Sequence, residues 1–397
     1  MSTVSFIALF VVLVLATLVA AELLLRRLNV PFELARKSFH LLAGTVALLM
    51  TVNAPSRLPL VITGALFAVT LPASIVLGLF KIQTRERGFG TVAFALGYSV
   101  VAWLYFEQPV VMVSALVVLT YGDGLAAIIG TTIGRNPFGL GNTHKTIEGT
   151  ASFAFVSWIG VATTLVLYNA ASPFRALAIG FLLAVLCAVV EALCSSDIDN
   201  GVLPIYAAVV LDAMLMPRGF PAVMVGFALA LLIVGLALWR HWITLQGGVV
   251  AGLITVTMFG IGEFAWLAPV FLLLASSSLV SSFVGKVYRN PFSAREGPRG
   301  IEQILAKGGP SLVCVLLFGA TRDPVWFFVM LTLVATAAAD TFASSIGGLD
   351  PVDPVPALPW FNPVPKGTSG GVSAYGTLAA CFASTAVASL ALVQNGG

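Results

Sequence analysis

Between Leu119 and Gly149 the chain gathers side chains suited to phosphate and metal chemistry. Asp123 lies in an apolar run beside Gly122, Gly124, Ala126, Ala127, Gly130 and Gly134, and a Gly/Asn/Pro loop then leads to Lys145, Thr146 and Glu148. A carboxylate in an apolar segment is costly and is retained chiefly for function. Small residues around it allow a helix or a ligand to approach the backbone closely. Lys145, Thr146 and the loop N–H groups suit phosphate, while Asp123 and Glu148 suit a divalent metal. The expectation is a cation-plus-phosphate site at a membrane surface. A helix-packing seam followed by an ordinary polar loop is the competing reading.

Two further clusters precede and follow this stretch. Arg36, Lys37 and His40 fall in ELARKSFHLLAG, with Arg36 and His40 four apart and therefore on one helix face. Guanidinium and ammonium groups suit phosphate, and a neutral imidazole suits removal of a proton from an alcohol. Equally, Arg36 and Lys37 fit a basic flank of a membrane helix, and His40 fits a hydrogen-bonded helix residue. Glu191, Asp197, Asp199 and Asn200 end another apolar run in VEALCSSDIDNG; these acids could bind a metal or simply form a solvated loop.

The second half repeats the theme with other residues. Arg299, Gln303 and Lys307 lie in GPRGIEQILAKGG, and Asp340 sits among small residues in TAAADTFASSIGG. Lys366, Gly367, Thr368, Gly370 and Gly371 then open the last apolar run, where glycines and hydroxyls before a helix N-terminus favour an anion. Asp340 parallels Asp123 as a metal or catalytic carboxylate, although helix packing alone could produce the same pattern. The second half holds His241, far along the chain from these motifs.

These residues must be carried by membrane helices. Hydrophobic residues make up 59% of the 397 positions and charged ones only 9%, with a mean hydropathy of +1.01. That balance excludes a soluble domain, and the lack of long alternating strands excludes a barrel. The expected fold class is all-α, a polytopic integral membrane protein with about 14 transmembrane helices in two bundles. The uncharged start, MSTVSFIALFVVLVLATLVAAELLLRR, reads as a first spanning helix rather than a cleaved leader. No basic arm suggests nucleic acid. Cys187, Cys194, Cys314 and Cys381 sit in or beside apolar runs without metal-type spacing and read as packing residues.

Of the 20 lysines and arginines, all but Arg57, Arg175, Arg218 and Arg322 fall on one set of alternate loops. The asymmetry predicts that these loops face the cytoplasm and both termini lie outside. Met216–Pro217–Arg218–Gly219–Phe220–Pro221 cannot continue a helix. It divides the chain into residues 1–219, with about eight helices, and 220–397, with about six.

The pieces RKSFH, GDGLAAIIG, HKTIEG and VEAL…DIDNGVLP occur in an order that resembles the CTP-dependent lipid kinases, the family of dolichol and phytol kinases, with phosphatidate cytidylyltransferase as a relative. GDGLAAIIG followed closely by the lysine element is most similar to the phytol kinase branch. The resemblance implies Asp123 and Glu148 as metal and catalytic carboxylates, Lys145 on nucleotide phosphates, and Asp199 with Asn200 closing the site. LQGGVVAG, RGIEQILAKGG, ADTFASSIG and KGTSGGVSAYG resemble the transmembrane family of the plant phytyl-phosphate kinase. Ser345 stands where that pattern implies an acid, and Lys307 where it implies an asparagine.

The expected function is therefore a bifunctional isoprenoid-alcohol kinase using CTP and Mg2+. The first half would phosphorylate phytol or a similar prenol. The second, with CTP or another nucleotide, would carry the monophosphate to the diphosphate. That second step needs no base, because a phosphate monoester is already an anion. The expected setting is the bilayer of a prokaryotic cytoplasmic membrane, with the sites facing the cytoplasm; an oligomer is compatible with the sequence. A lipid-phosphate cytidylyltransferase releasing pyrophosphate and an isoprenoid-phosphate transporter are the alternatives.

Overall fold

The computed structural model describes residues 2–27, 30–77, 89–141, 143–194, 198–287, 297–356, 362–366, 368 and 370–394. The chain forms two compact units, Met1–Pro217 and Arg218–Gly397. Among the described residues both are built of helices, with two ribbons of two-residue strands. Among the described residues, ten helices are long and apolar enough to cross a membrane. The expected fourteen included α2 (Phe32–Val52), which carries Glu33, Arg36, Lys37 and His40, and α4 (Phe89–Tyr105), which is shorter; neither is among the ten.

In the first unit α1 (Thr3–Arg27) packs on α2, and α3 (Arg57–Val76) packs on α4. Helix α5 (Pro109–Val117) starts with proline at its first turn, where no amide donor is needed. It runs through a π-helical turn, Val118–Asp123, into α6 (Gly124–Thr132). The π turn displaces the ladder at the buried acid; such turns are frequent at functional sites. Strands β1 (Pro137–Phe138) and β2 (Lys145–Thr146) pair antiparallel, with Phe138 opposite Lys145.

The β1–β2 ribbon delivers the chain to α7 (Ile147–Leu167), which Thr146 caps by accepting the Gly149 N–H at 3.2 Å. A Cβ on Gly149 would stand 3.0 Å from the Ala126 carbonyl and 3.3 Å from Gly130 Cα, so α6 and α7 meet backbone to backbone. Helices α8 (Pro173–Leu193) and α9 (Asp199–Leu215) follow, α8 packing on α7 and α9 on α4. At the α4–α9 crossing a Cβ on Gly97 would lie 2.9 Å from Gly201 Cα. Large apolar residues such as Trp103, Phe155 and Phe174 are exposed, as on lipid-facing helices. The Arg57 guanidinium lies 4.2 Å from the Trp103 ring, a pairing suited to a membrane interface.

The second unit contains α10 (Gly219–Trp239), α11 (Leu245–Val287), α12 (Ile301–Thr321), α13 (Val325–Gly347) and α14 (Ala374–Gln394). Helix α11 is broken at Glu263, which takes φ 56° and ψ −153°. A left-handed non-glycine residue cannot continue a helix, so the chain has two legs there. Strands β3 (Val355–Pro356) and β4 (Gly371–Val372) pair ahead of α14. All four cysteines are free.

Candidate active site

The first unit brings charge together below its helix ends. Asp123 lies nine residues before Thr132, the end of α6, roughly 13 Å along a helix. It is 2% exposed, and its Oδ2 accepts Lys37 Nζ at 2.8 Å. Lys37 is itself buried, so this residue of a basic flank turns inward instead of reaching solvent. Lys145, presented by β2, pairs with Glu191 near the end of α8 and stands 3.6 Å from Asp199 Oδ2 at the start of α9. Burial would lower the Lys145 pKa, but the Glu191 and Asp199 carboxylates outweigh it and hold the pKa above the ordinary lysine value.

Asp123, Glu191 and Asp199 are all buried and offer oxygens that lie within 4.8 Å of one another. Three carboxylates face two ammonium groups here, which leaves a local excess of negative charge. Among the described residues, none forms a hydrogen bond to the buried Glu191 Oε2, Asp199 Oδ2 or Asn200 Oδ1. Orphaned buried oxygens of this type are costly, and a hard cation satisfies them. The donor set therefore fits Mg2+.

His40 sits at the edge of this cluster, its Nε2 3.6 Å from Asp123 Oδ2 and 3.0 Å from the Leu119 carbonyl. A carbonyl can only accept, so Nε2 carries the proton and the lone pair of a neutral ring lies on Nδ1. The Phe94 ring meets the imidazole edge-on at 5.3 Å. Leu119 belongs to the π turn, so one local distortion positions both Asp123 and His40.

Two cavities share Arg36 in their linings. The polar one, about 530 Å3, is lined by Lys37, Asp123, Lys145, Thr146, Glu191 and Asp199 among others. The second is a narrow slot of about 90 Å3 walled mainly by apolar residues from α1 to α4, with His40 in its lining. Arg36 borders both, and its guanidinium also pairs with Glu33 at 2.9 Å.

Glu148 does not join the cluster. Its carboxylate accepts Asn136 Nδ2 at 2.7 Å and the Asn136 N–H at 3.3 Å, tying α7 to the loop before β1. Glu191 stands beside Lys145 and Asp199 where the spacing suggested Glu148. The signal for Glu191 was present: it is the one acidic side chain of α8, an otherwise apolar helix. Thr146 lines the polar cavity but already uses its hydroxyl as a cap. Asp197 lies outside the described residues.

The residues singled out in the second unit lie just before and on α12, on α13 and in the loop before α14. Asp340 is exposed on α13, and Gln303 is exposed near the start of α12. Arg299 is fixed through its backbone, donating to Trp242 O at 2.9 Å and accepting from Thr244 N at 3.0 Å. Lys307 Nζ is 3.5 Å from Thr341 Oγ1. Lys366 donates to the Asp350 carbonyl, and Thr368 donates to the Pro365 carbonyl at 2.7 Å. Gly370 takes φ 80°, a turn conformation that favours glycine, and Gly371 pairs with Pro356 in the β3–β4 ribbon. Gly367 lies outside the described residues.

Asp350, unremarked in the sequence, organises this loop. It is buried, and its carboxylate accepts the N–H groups of Tyr375 at 3.0 Å and Val352 at 3.1 Å. Those two donors hold its pKa below the ordinary aspartate value. A cavity of about 530 Å3 lies between α13 and α14, but it is lined by residues such as Thr336, Ala339 and Ser384 and by none of the residues named above.

Residues 228–396 match the model of a family described as integral membrane protein DUF92. A phytol kinase of Synechocystis sp. (strain ATCC 27184 / PCC 6803 / Kazusa) is 27% identical over 204 residues, which cover 49% of this chain and 85% of that relative. No solved structure matches the chain. The protein is thus a helical integral membrane protein that is similar, over about half its length, to a phytol kinase.

Proposed function

We propose that the first unit is a CTP-dependent kinase of phytol or a similar prenol, working at the cytoplasmic face. The observation that carries this reading is that two chambers share Arg36, one apolar with His40 in its wall and one built from lysines and carboxylates. A prenol has an apolar tail and a single hydroxyl, and a nucleoside triphosphate is polyanionic; each chamber suits one of them. In this reading the hydroxyl gives its proton to His40 Nδ1. Its oxygen then forms a bond to the γ-phosphorus as the bond from that phosphorus to the β-phosphate oxygen breaks, leaving CDP. Asp123, 3.6 Å from the ring, stabilises the imidazolium that results. Lys37, Lys145 and Arg36 offset the charge on the transferring phosphoryl group.

Asp123, Glu191 and Asp199 are the residues that would hold Mg2+, whose charge would neutralise phosphate oxygens. The second unit is read as acting on the monophosphate to form the diphosphate, a reading supported by the resemblance of its motifs and by the lysine and glycine loop before α14. Purified protein given labelled CTP and phytol should yield labelled phytyl phosphate and CDP. Release of pyrophosphate would instead identify a cytidylyltransferase, and absence of any lipid product would remove the kinase reading.

A further inference from the structure

The apolar slot has a polar mouth and an aromatic floor. Its α2 wall runs from Arg36 to Ala47, eleven residues or roughly 16 Å of helix, and from His40 to Ala47 is seven residues or roughly 10 Å. Helix α4 runs in the same sense, from Gly90 and Thr91 at the mouth to Tyr98. At the far end the Phe10 ring meets Phe67 and Tyr98 edge-to-face, each at 6.1 Å, and all three are buried. The Tyr98 hydroxyl is 3.0 Å from the Thr51 hydroxyl, which anchors the floor one turn below Ala47. Three interlocked rings, one of them hydrogen-bonded, do not move aside as a flexible aliphatic side chain would.

We propose that Phe10, Phe67 and Tyr98 set the length of the isoprenoid chain that the site accepts, admitting acyclic prenols of a few units and rejecting long polyprenols. The inference rests on the reading of the slot as the alcohol site. It assigns a specificity role to residues of α1, α3 and α4, helices that carry none of the cluster's charged groups. The floor limits chain length because a tail whose hydroxyl reaches His40 meets the rings before it can extend further.

The test is a chain-length series of geraniol, farnesol, geranylgeraniol and a long polyprenol, given to wild-type protein and two opposite variants. Phe10→Ala removes a ring from the floor, and Ala47→Leu fills the slot above it. Selectivity is read as the ratio of kcat/KM for a longer over a shorter prenol. Changes of a few methylene groups in such a pocket shift selectivity on the order of ten-fold. The ratio should rise by about that factor in Phe10→Ala and fall by about that factor in Ala47→Leu.

Binding is measured in parallel, by displacement of a radiolabelled prenol from the detergent-solubilised full chain. If the wild type transfers no phosphate yet the two variants shift the binding order in opposite directions, the phosphotransfer reading fails and the floor stands. If Phe10→Ala does not fold, Ala47→Leu alone must shift the order toward shorter chains. Unchanged chain-length order in every folded variant, or no prenol binding at any length, would overturn the inference.

Discussion

The two units place similar residues in opposite circumstances. In the first, Lys37 and Lys145 turn inward onto Asp123, Glu191 and Asp199, all buried. In the second, Asp340 is exposed, Lys366 is engaged with a backbone carbonyl, and Arg299 belongs to a different element. Buried charges are expensive unless paired, and a chain keeps several together mainly where chemistry requires them. An exposed aspartate before a glycine-rich loop carries no such cost. In the proposed reading this difference assigns alcohol activation to the first unit and gives the second a substrate that is already charged and needs no base.

The largest expected effect comes from the pair that the π turn positions. Replacing His40 with glutamine removes the proton acceptor and should lower kcat by about 10²- to 10⁴-fold, with the chain still inserted. Asp123→Asn should cost on the order of 10²-fold or more, since it removes the charge that faces both His40 and Lys37. Steady-state assays with CTP and phytol check both. Wild-type turnover in either variant would dissolve the contrast between the units.

A sharper comparison sets Glu191 against Glu148. Glu191→Gln strips one of the three clustered carboxylates and should reduce turnover by about ten-fold or more while raising the Mg2+ concentration needed for half-maximal activity. Glu148→Gln disturbs contacts with Asn136 and nearby backbone, outside the cluster, and should change kcat less than about three-fold. The reverse ranking would restore the carboxylate pair that the sequence spacing suggested.

The smallest effects concern pH and stability, and they separate the units by direction. Lys145 has a raised pKa, so its contribution to stability is fully present below the unfolded value of 10.5 and is lost as pH rises through the higher folded value. Asp350 has a lowered pKa, so its contribution is present above the unfolded value of 3.8 and is lost as pH falls through the still lower folded value. Melting curves in detergent should therefore show Lys145→Met approaching wild type only in strong alkali. Asp350→Asn should approach wild type only in strong acid. Differences from wild type that do not depend on pH would show that neither ion pair nor loop contact carries the effect.

Much of the fold was legible in the sequence because burial in lipid demands apolar runs, and the break at Met216–Pro221 falls where the two units part. The site was legible in its parts. Asp123, Lys37, His40 and Lys145 were singled out by cost or by residue type, and all four gather at one place. Glu148 illustrates what spacing alone does not convey. It lies three residues from Lys145 in sequence, but the first turn of α7 points its carboxylate to Asn136, while Glu191 arrives from a helix more than forty residues on. The π turn was not legible, because nothing in the residue types of Val118–Asp123 sets it apart from an α-helical turn; only the packing of α2 against that segment reveals the Leu119 carbonyl that accepts the His40 Nε2–H hydrogen bond. Asp350 was overlooked because its role depends on Tyr375, which the intervening loop brings close.

The most direct test of the division between the units gives Asp123→Asn and Asp340→Asn, each purified as the full chain, first phytol and then phytyl phosphate with labelled CTP. The expected result is that Asp123→Asn forms monophosphate from phytol on the order of 10²-fold more slowly than wild type, or slower still, but converts supplied phytyl phosphate to the diphosphate, whereas Asp340→Asn forms monophosphate and accumulates it. Loss of both steps in either folded variant, or monophosphate formation by Asp123→Asn at the wild-type rate, would contradict the account.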